Sequence, residues 1–532
     1  MAPTSDFGSR QEPENTVKHQ QLAHQRFEHW AAVYPQRTAV VCGDVSVTYG
    51  ELNERANRFA RLLSELGICA GSAVGVCFSP RIHTLTCMLA ILKCGAAYVP
   101  LDPSYPADRL AAMAGQLETM NFIIASDESR DRLKDAGKRL LTLEEVLVRS
   151  FAYSAGNLNE DVDGSDLCYV VFTSGTTGVP KAVGVKHSGW GNLLQWLESE
   201  YRLDSQSANL LVSAFGFDIS QRSLMTPLYV GAVLCLLGTE HFDPKLAAQL
   251  IESHSVRTLH LAPSTLYLLT AIGDASPLLA SLEYLFIGGE ALSAQRIQQW
   301  SAGAGKHCRL VHQYGVAECT DVATSYVMGN VADYLRDGIP MGQPVANCAL
   351  LVLDEQFAPV ESDEVGEIFI GGAGVGVGYV NNAQLTAEKF VRINVEGSEV
   401  LAYRTGDFAR RTAGGEYICL GRRDTQIKIR GMLTNLTDIE HALKRSFPDI
   451  EEAVVLALKG GASDEDLRLV AFLLRVTEDT LDALTLKRTL ATKLPRHMIP
   501  ADFIAVDRYP LTRNGKIDKQ ALAAQWEGSA VT

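Results

Sequence analysis

Long apolar runs are missing from this sequence: none reaches the roughly 20 residues that a bilayer-spanning helix needs. The first twenty or so residues are polar (SDFGSRQEPENTVKHQQ) and lack the apolar segment of a secretory leader. No membrane partner is therefore expected, and the protein is read as cytoplasmic. Positive charge is in deficit, with 48 Lys plus Arg against 62 Asp plus Glu and a net charge of −14. That balance argues against nucleic acid as a partner. Metal-type cysteine spacing is also lacking: eleven cysteines scatter from Cys42 to Cys419 without CxxC or a Cys/His cluster, a pattern of reduced cytosolic thiols. No fixed-period repeat is visible, which weighs against a solenoid or propeller.

What is present is a 532-residue chain, 47% hydrophobic and 21% charged, long enough for more than one domain. Short apolar runs alternate with amphipathic stretches. Thr38–Cys42, Val74–Phe78 and Asn121–Ala125 read as strands, and Tyr49–Leu66 and Leu85–Lys93 as helices, so layered and largely parallel sheets are expected. Between Gly366 and Gly378 (GEIFIGGAGVGVG) the pattern becomes a strand with a glycine-rich turn. Beyond Gly421 charge rises (GRRDTQIKIRG) and a shorter α+β run follows. The expected fold is α/β: residues 1–20 a flexible tail, 21–423 a large N-terminal core of βα sheets plus a β-rich segment, and 424–532 a small, hinged α+β C-terminal lid domain.

Leu167–Phe172 (LCYVVF) reads as a buried strand and runs straight into TSGTTGVPK, residues 173–181. Glycines let a backbone approach a polyphosphate, hydroxyls add donors, and Lys181 meets negative charge. No Gly-Lys-Ser/Thr closes the loop, so it is not a Walker A loop, and GxGxxG is absent from it. Composition alone would fit a polar surface turn as well as a phosphate site.

The loop is one of ten strings in order along nearly the whole chain: VTYGEL (47–52), LKCGAAYVPLDPSYP (92–106), the loop itself, FGFDIS (215–220), HQYGVAE (312–318), GEIFIGGAGVGVGYV (366–380), YRTGD (403–407), GRRDTQIKIRG (421–431), LPRHMIP (494–500) and NGKIDK (514–519). Together they resemble the amino-acid-activating adenylation domains of nonribosomal peptide synthetases, in the adenylate-forming superfamily. The resemblance implies attack of an amino acid carboxylate on the α-phosphate of ATP, giving aminoacyl-AMP, in natural-product or antibiotic biosynthesis. It implies Lys516, Thr173 and Lys181 as catalytic residues, and Ser174, Gly175, Thr176, Thr177 and Gly178 as nucleotide contacts. Gly288, Gly289, Glu290, His312 and Tyr314 would hold the adenine, Asp407 and Arg422 the ribose or phosphates, and Glu318 a Mg²⁺ ion. Two anions must meet, so charge neutralisation matters more than a general base.

By the same resemblance Asp218 pairs with the substrate ammonium, and Ile219, Arg222, His260, Phe286, Gly288, Gln313, Asp321 and Val322 line the side-chain pocket. A polar side chain, glutamate or glutamine ahead of small hydroxy acids, would satisfy Arg222. Alternatively Arg222 pairs with Asp321 and leaves a smaller, neutral pocket; the two readings weigh nearly equally. A second half-reaction is implied too, with rotation about Asp424 and transfer to the phosphopantetheine thiol of a carrier protein. The chain has room for neither a condensation nor a carrier domain, so a freestanding ligase with the carrier in trans is expected, unless it is an excised domain. Some relatives also use a small activator protein. Departures from the family pattern are Ala182 after Lys181, Val316-Ala317 before Glu318, His312 where asparagine is usual, and Leu433–Asp438 (LTNLTD) near the thiol's path. The alternatives are an acyl- or aryl-CoA ligase, which Asp218 disfavours, and a degenerate adenylate-binding regulatory protein.

Overall fold

The computed structural model describes residues 22–173, 180–239, 242–272, 277–335, 338–395, 397–422, 426–429, 432–447, 449–459, 467–475, 482–510 and 517–529. The expected tail, Asp424, Lys516 and the loop residues Ser174, Gly175, Thr176, Thr177 and Gly178 lie outside them.

Two large sheets carry the N-terminal part. In the seven-stranded sheet, Ala73–Cys77, Ala97–Pro100, Met120–Ala125, Arg139–Thr142 and Leu167–Thr173 run parallel, and Lys181–Lys186 and Gly378–Tyr379 close one edge antiparallel. The nine-stranded sheet is parallel at its centre (Thr258–Leu261, Tyr284–Gly288, Arg309–Tyr314) and antiparallel at both edges. Helix His187–Tyr201 packs on the first sheet and against helix Asp218–Val230, which packs on the second. Strands buried on both faces need apolar side chains at every position, and AVGVC at 73–77 is buried throughout.

Local chemistry sets the element ends. Helix Tyr49–Glu65 opens on a capping box: Thr48 Oγ1 accepts from the Glu51 amide at 3.2 Å, and Glu51 Oε2 accepts from the Thr48 amide at 3.0 Å. Helix Ile82–Lys93 starts three residues earlier than the apolar period suggests, because Thr84 Oγ1 accepts from the Arg81 amide at 3.0 Å. The glycine-rich stretch is strand Val365–Gly372, in a five-stranded antiparallel sheet with Cys348–Leu353, Phe390–Val395, Ser398–Arg411 and Tyr417–Arg422.

After residue 426 come a hairpin (Gln426–Ile429, Met432–Asn435), a three-stranded sheet and helices Leu436–Ser446, Ala483–Ala491 and Lys519–Ser529. These elements bury two apolar cores built only from residues beyond 426, as a separate small domain requires. Among the described residues no helix is long and apolar enough to cross a membrane. All eleven cysteines are free.

One buried cluster is polar. His24 and His187 meet edge to face, 5.7 Å between ring centroids, beside a buried Lys93 paired with Glu28. Neither ring nitrogen of His187 has a hydrogen-bond partner.

Candidate active site

Strands Leu167–Thr173 and Lys181–Lys186 pair antiparallel with Thr173 directly opposite Lys181. The phosphate-loop candidate is thus a hairpin connection whose two reactive ends are register partners. Thr173 Oγ1 is buried without a hydrogen-bond partner, and Lys181 makes no ion pair among the described residues. Burial pulls the Lys181 ammonium below the usual lysine value, with Glu318 opposing. An unsatisfied hydroxyl beside a partly buried cation that makes no ion pair among the described residues suits an oxyanion such as a phosphate.

Both residues open into one cavity. It also receives Asp218, Ile219, Arg222, Gly288, Gly289, Gln313, Tyr314, Glu318, Asp321, Val322, Asp407 and Arg422. The ends of the strands in both large sheets therefore converge with the five-stranded sheet. Four candidates stand apart from the cavity lining. Glu290 accepts from the Ser264 amide at 2.9 Å. His312 shares a 2.8 Å hydrogen bond between Nδ1 and the Pro340 carbonyl, so Nδ1 carries the proton and Nε2 is the acceptor of the neutral ring. His260 and Phe286 are fully buried and stacked on each other at 4.7 Å.

The segment after Tyr314 turns back tightly on itself. The Ala323 amide donates to the Tyr314 carbonyl at 2.9 Å, and Thr320 and Asp321 take positive φ of 59° and 71°. A Cβ on Gly315 would lie 1.9 Å from the Asp321 carbonyl oxygen, so only glycine fits. Gly315→Ala is expected to destabilise the fold by about 1–3 kcal/mol through overpacking. A thermal melt and the exchange assay below should register the loss together, since the displaced backbone carries Glu318 and Asp321.

Tyr314 donates to Asp407 Oδ2 at 2.6 Å, and burial followed by the Asp407 charge pushes its phenol well above the usual tyrosine value. Arg422 donates to the Thr405 carbonyl at 2.7 Å and lies 3.9 Å from Asp407 Oδ1. Glu318 Oε1 accepts from Tyr379 at 2.8 Å, and Tyr379 in turn meets the Tyr403 hydroxyl at 2.9 Å.

A family model described as AMP-binding enzyme matches residues 27–380, and one described as AMP-binding enzyme C-terminal domain matches residues 438–516. The chain belongs to the AMP-binding enzyme family. It is 37% identical over 516 residues to malpinin synthetase of Mortierella alpina, covering 94% of this chain and 6% of that protein. It is 34% identical over 523 residues to the dimodular nonribosomal peptide synthase of Bacillus subtilis (strain 168), covering 96% and 22%. The chain thus spans a minor part of the length of these curated relatives. The solved structure of PA1221, a nonribosomal peptide synthetase protein containing adenylation and PCP domains, matches with a TM-score of 0.80 at 27% identity, covering 95% of this chain and 97% of that one. An artificially fused adenylation–PCP di-domain, NpsA-ThdA from Klebsiella oxytoca, shares the fold with a TM-score of 0.83 at 24% identity, covering 92% and 94%.

This AMP-binding enzyme also lines its cavity with residues that the motif reading did not single out: Tyr105, Arg109, Tyr379, Lys389, Tyr403 and His497. Four of them stand inside strings quoted above (PSYP, GYV, YRTGD, LPRHMIP), where an aromatic or histidine reads as core. Arg109 and Lys389 lie outside any string. The small domain reaches this site. His497 lines it, Lys493 pairs with Asp108 at 2.6 Å, and the buried Asp438 carboxylate bears on both Arg109 and Lys181.

For Mg²⁺ the donor set is lean. Among the described residues no three His, Cys, Asp or Glu side chains converge. Glu318 lines the cavity with one oxygen engaged by Tyr379. A single carboxylate fits an ion that keeps waters and takes its other ligands from substrate phosphates.

Proposed function

We propose that the protein activates an amino acid with ATP as aminoacyl-AMP and passes the acyl group to the phosphopantetheine thiol of a carrier protein. The observation that carries this reading is one cavity holding an ammonium and a carboxylate that are both without an ion-pair partner among the described residues, Lys181 and Asp218. The first suits the phosphates of ATP and the second the α-ammonium of an amino acid, whose carboxylate would then lie between them. Asp218 is the first residue of its helix, with Phe217 at the N-cap, and its Oδ1 accepts from the Ile219 amide at 2.8 Å.

In the first half-reaction the substrate carboxylate displaces pyrophosphate from the α-phosphorus. Lys181 neutralises the phosphoryl oxygens, Thr173 donates a hydrogen bond to them, and Lys516 would join them from the small domain. Asp407 would accept the ribose hydroxyls while Tyr314 fixes its orientation. Mg²⁺, when bound at Glu318, supplies further neutralisation of the phosphates. The second half-reaction draws support from Asp438, in the LTNLTD segment, being placed beside the cavity in this orientation of the small domain. Hinge rotation about Asp424, a carrier acting in trans and a requirement for an activator protein belong to this proposal as well.

Amino-acid-dependent exchange of pyrophosphate into ATP, run across the twenty amino acids, tests the first step. Loading of a phosphopantetheinylated carrier tests the second. Turnover of fatty or aryl acids with coenzyme A, without amino acid exchange, would overturn the reading. Tyr314→Phe removes a hydrogen bond to a charged group, worth about 1.5–3 kcal/mol. The KM for ATP in that exchange is expected to rise at least tenfold, with the KM for the amino acid unchanged.

A further inference from the structure

We infer that the side-chain pocket accepts small, uncharged amino acids, because its floor is an ion pair already neutralised within the protein. The inference rests on the amino acid reading above and deepens it.

Arg222 stands one helical turn beyond Asp218, on the same face, and is 1% exposed. A buried guanidinium without a partner would call for an anionic ligand. Here Asp321 Oδ2 lies 2.8 Å from its Nε, a close ion pair though not a well-aligned hydrogen bond. Gln313 Oε1 accepts from Nη1 on the other side. The position of the anion is fixed by backbone: Asp321 is held at a positive φ with its carbonyl packed on Gly315. An acidic substrate side chain would therefore meet the Asp321 carboxylate and find the cation committed. A basic one would find the carboxylate committed and a second cation at Arg222.

Size follows from the same groups. Arg222 itself occupies the floor, and the stacked His260 and Phe286 stand fully buried outside the cavity lining. Burial, and then the Arg222 charge, hold His260 well below the usual histidine value, so the layer behind the lining adds no charge. Gly288 passes close to the Gln313 backbone, where a Cβ would lie 2.7 Å from the carbonyl oxygen, and the wall there cannot recede. Arg222 and the Gly288–Gln313 contact thus bound the pocket on two sides and favour a small side chain.

Pyrophosphate exchange over the twenty amino acids, with the full chain and two variants, decides it. The unmodified protein should exchange most strongly with a small uncharged acid. Asp321→Asn uncovers the Arg222 charge and should shift the glutamate-to-alanine activity ratio at least tenfold towards glutamate. Arg222→Met uncovers the Asp321 carboxylate in turn and should move preference towards basic amino acids. Strongest exchange of the unmodified protein with an acidic, basic or large amino acid overturns the pocket inference alone, as do two folded variants that keep the unmodified profile. No exchange with any amino acid overturns the activation reading, and the pocket inference with it.

Discussion

Asp218→Asn is expected to lower kcat/KM for the amino acid in pyrophosphate exchange by a hundredfold or more. Asparagine keeps an oxygen for the Ile219 amide, now held at 2.8 Å, so the helix start survives and only the charge is lost. Asp218 is partly buried here and the bound amino acid would cover it; removing one partner of the ion pair so enclosed costs about 3–5 kcal/mol, because the other charge is left without compensation. At ~1.4 kcal/mol per decade that is about two to three and a half decades in kcat/KM. Binding of ATP alone, followed by calorimetry, should stay unchanged, since Asp218 is assigned to the acid and not to the nucleotide. A variant with undiminished exchange would move the ammonium site elsewhere in the cavity.

The second large effect concerns stability in acid. Burial lowers the His187 pKa from 6.5 to about 4, partly offset by Asp166, and burial with the His187 and Lys93 charges lowers His24 further. Between pH 6.5 and about 4 the unfolded chain binds a proton at His187 and the native chain does not. Stability therefore falls as pH drops through that window and is flat above it. His187 alone contributes about 3 kcal/mol of loss across the window, from the size of the shift. Denaturant unfolding at pH 7 and pH 4.5 should show the drop, and His187→Gln should reduce the difference between the two. Lys93 and its partner Glu28 face the same cluster and stay in both proteins, so the comparison reads the loss of the His187 imidazole together with its effect on His24.

The sheets were legible because doubly buried strands leave apolar runs. Thr38–Cys42 has the bounds that its composition suggests, and Met120–Ala125 differs from the expected strand by one residue. Helix starts were less so, because a cap such as Thr84 on Arg81 breaks no apolar period. The site splits along the same line. Lys181, Asp218 and Glu318 are polar groups in otherwise apolar or glycine-rich strings, and the cavity gathers all three. Tyr379 and Tyr403 were hidden because a tyrosine in a strand reads as packing, although their hydroxyls form the chain that holds Glu318. The choice between a free and a paired Arg222 depends on how the turn at Asp321 is folded, a long-range matter that local pattern does not encode.

The register of Thr173 against Lys181 has a mechanical consequence. Side chains alternate between the faces of a sheet with a period of two. A slip of one residue in Lys181–Lys186 would turn the ammonium to the opposite face while leaving the strand paired. The seven residues between the two partners thus act as a ruler. Their number is tied to where the charge lands, since a shift of one residue in the paired strand takes Lys181 off the face it shares with Thr173 while every side chain is still present.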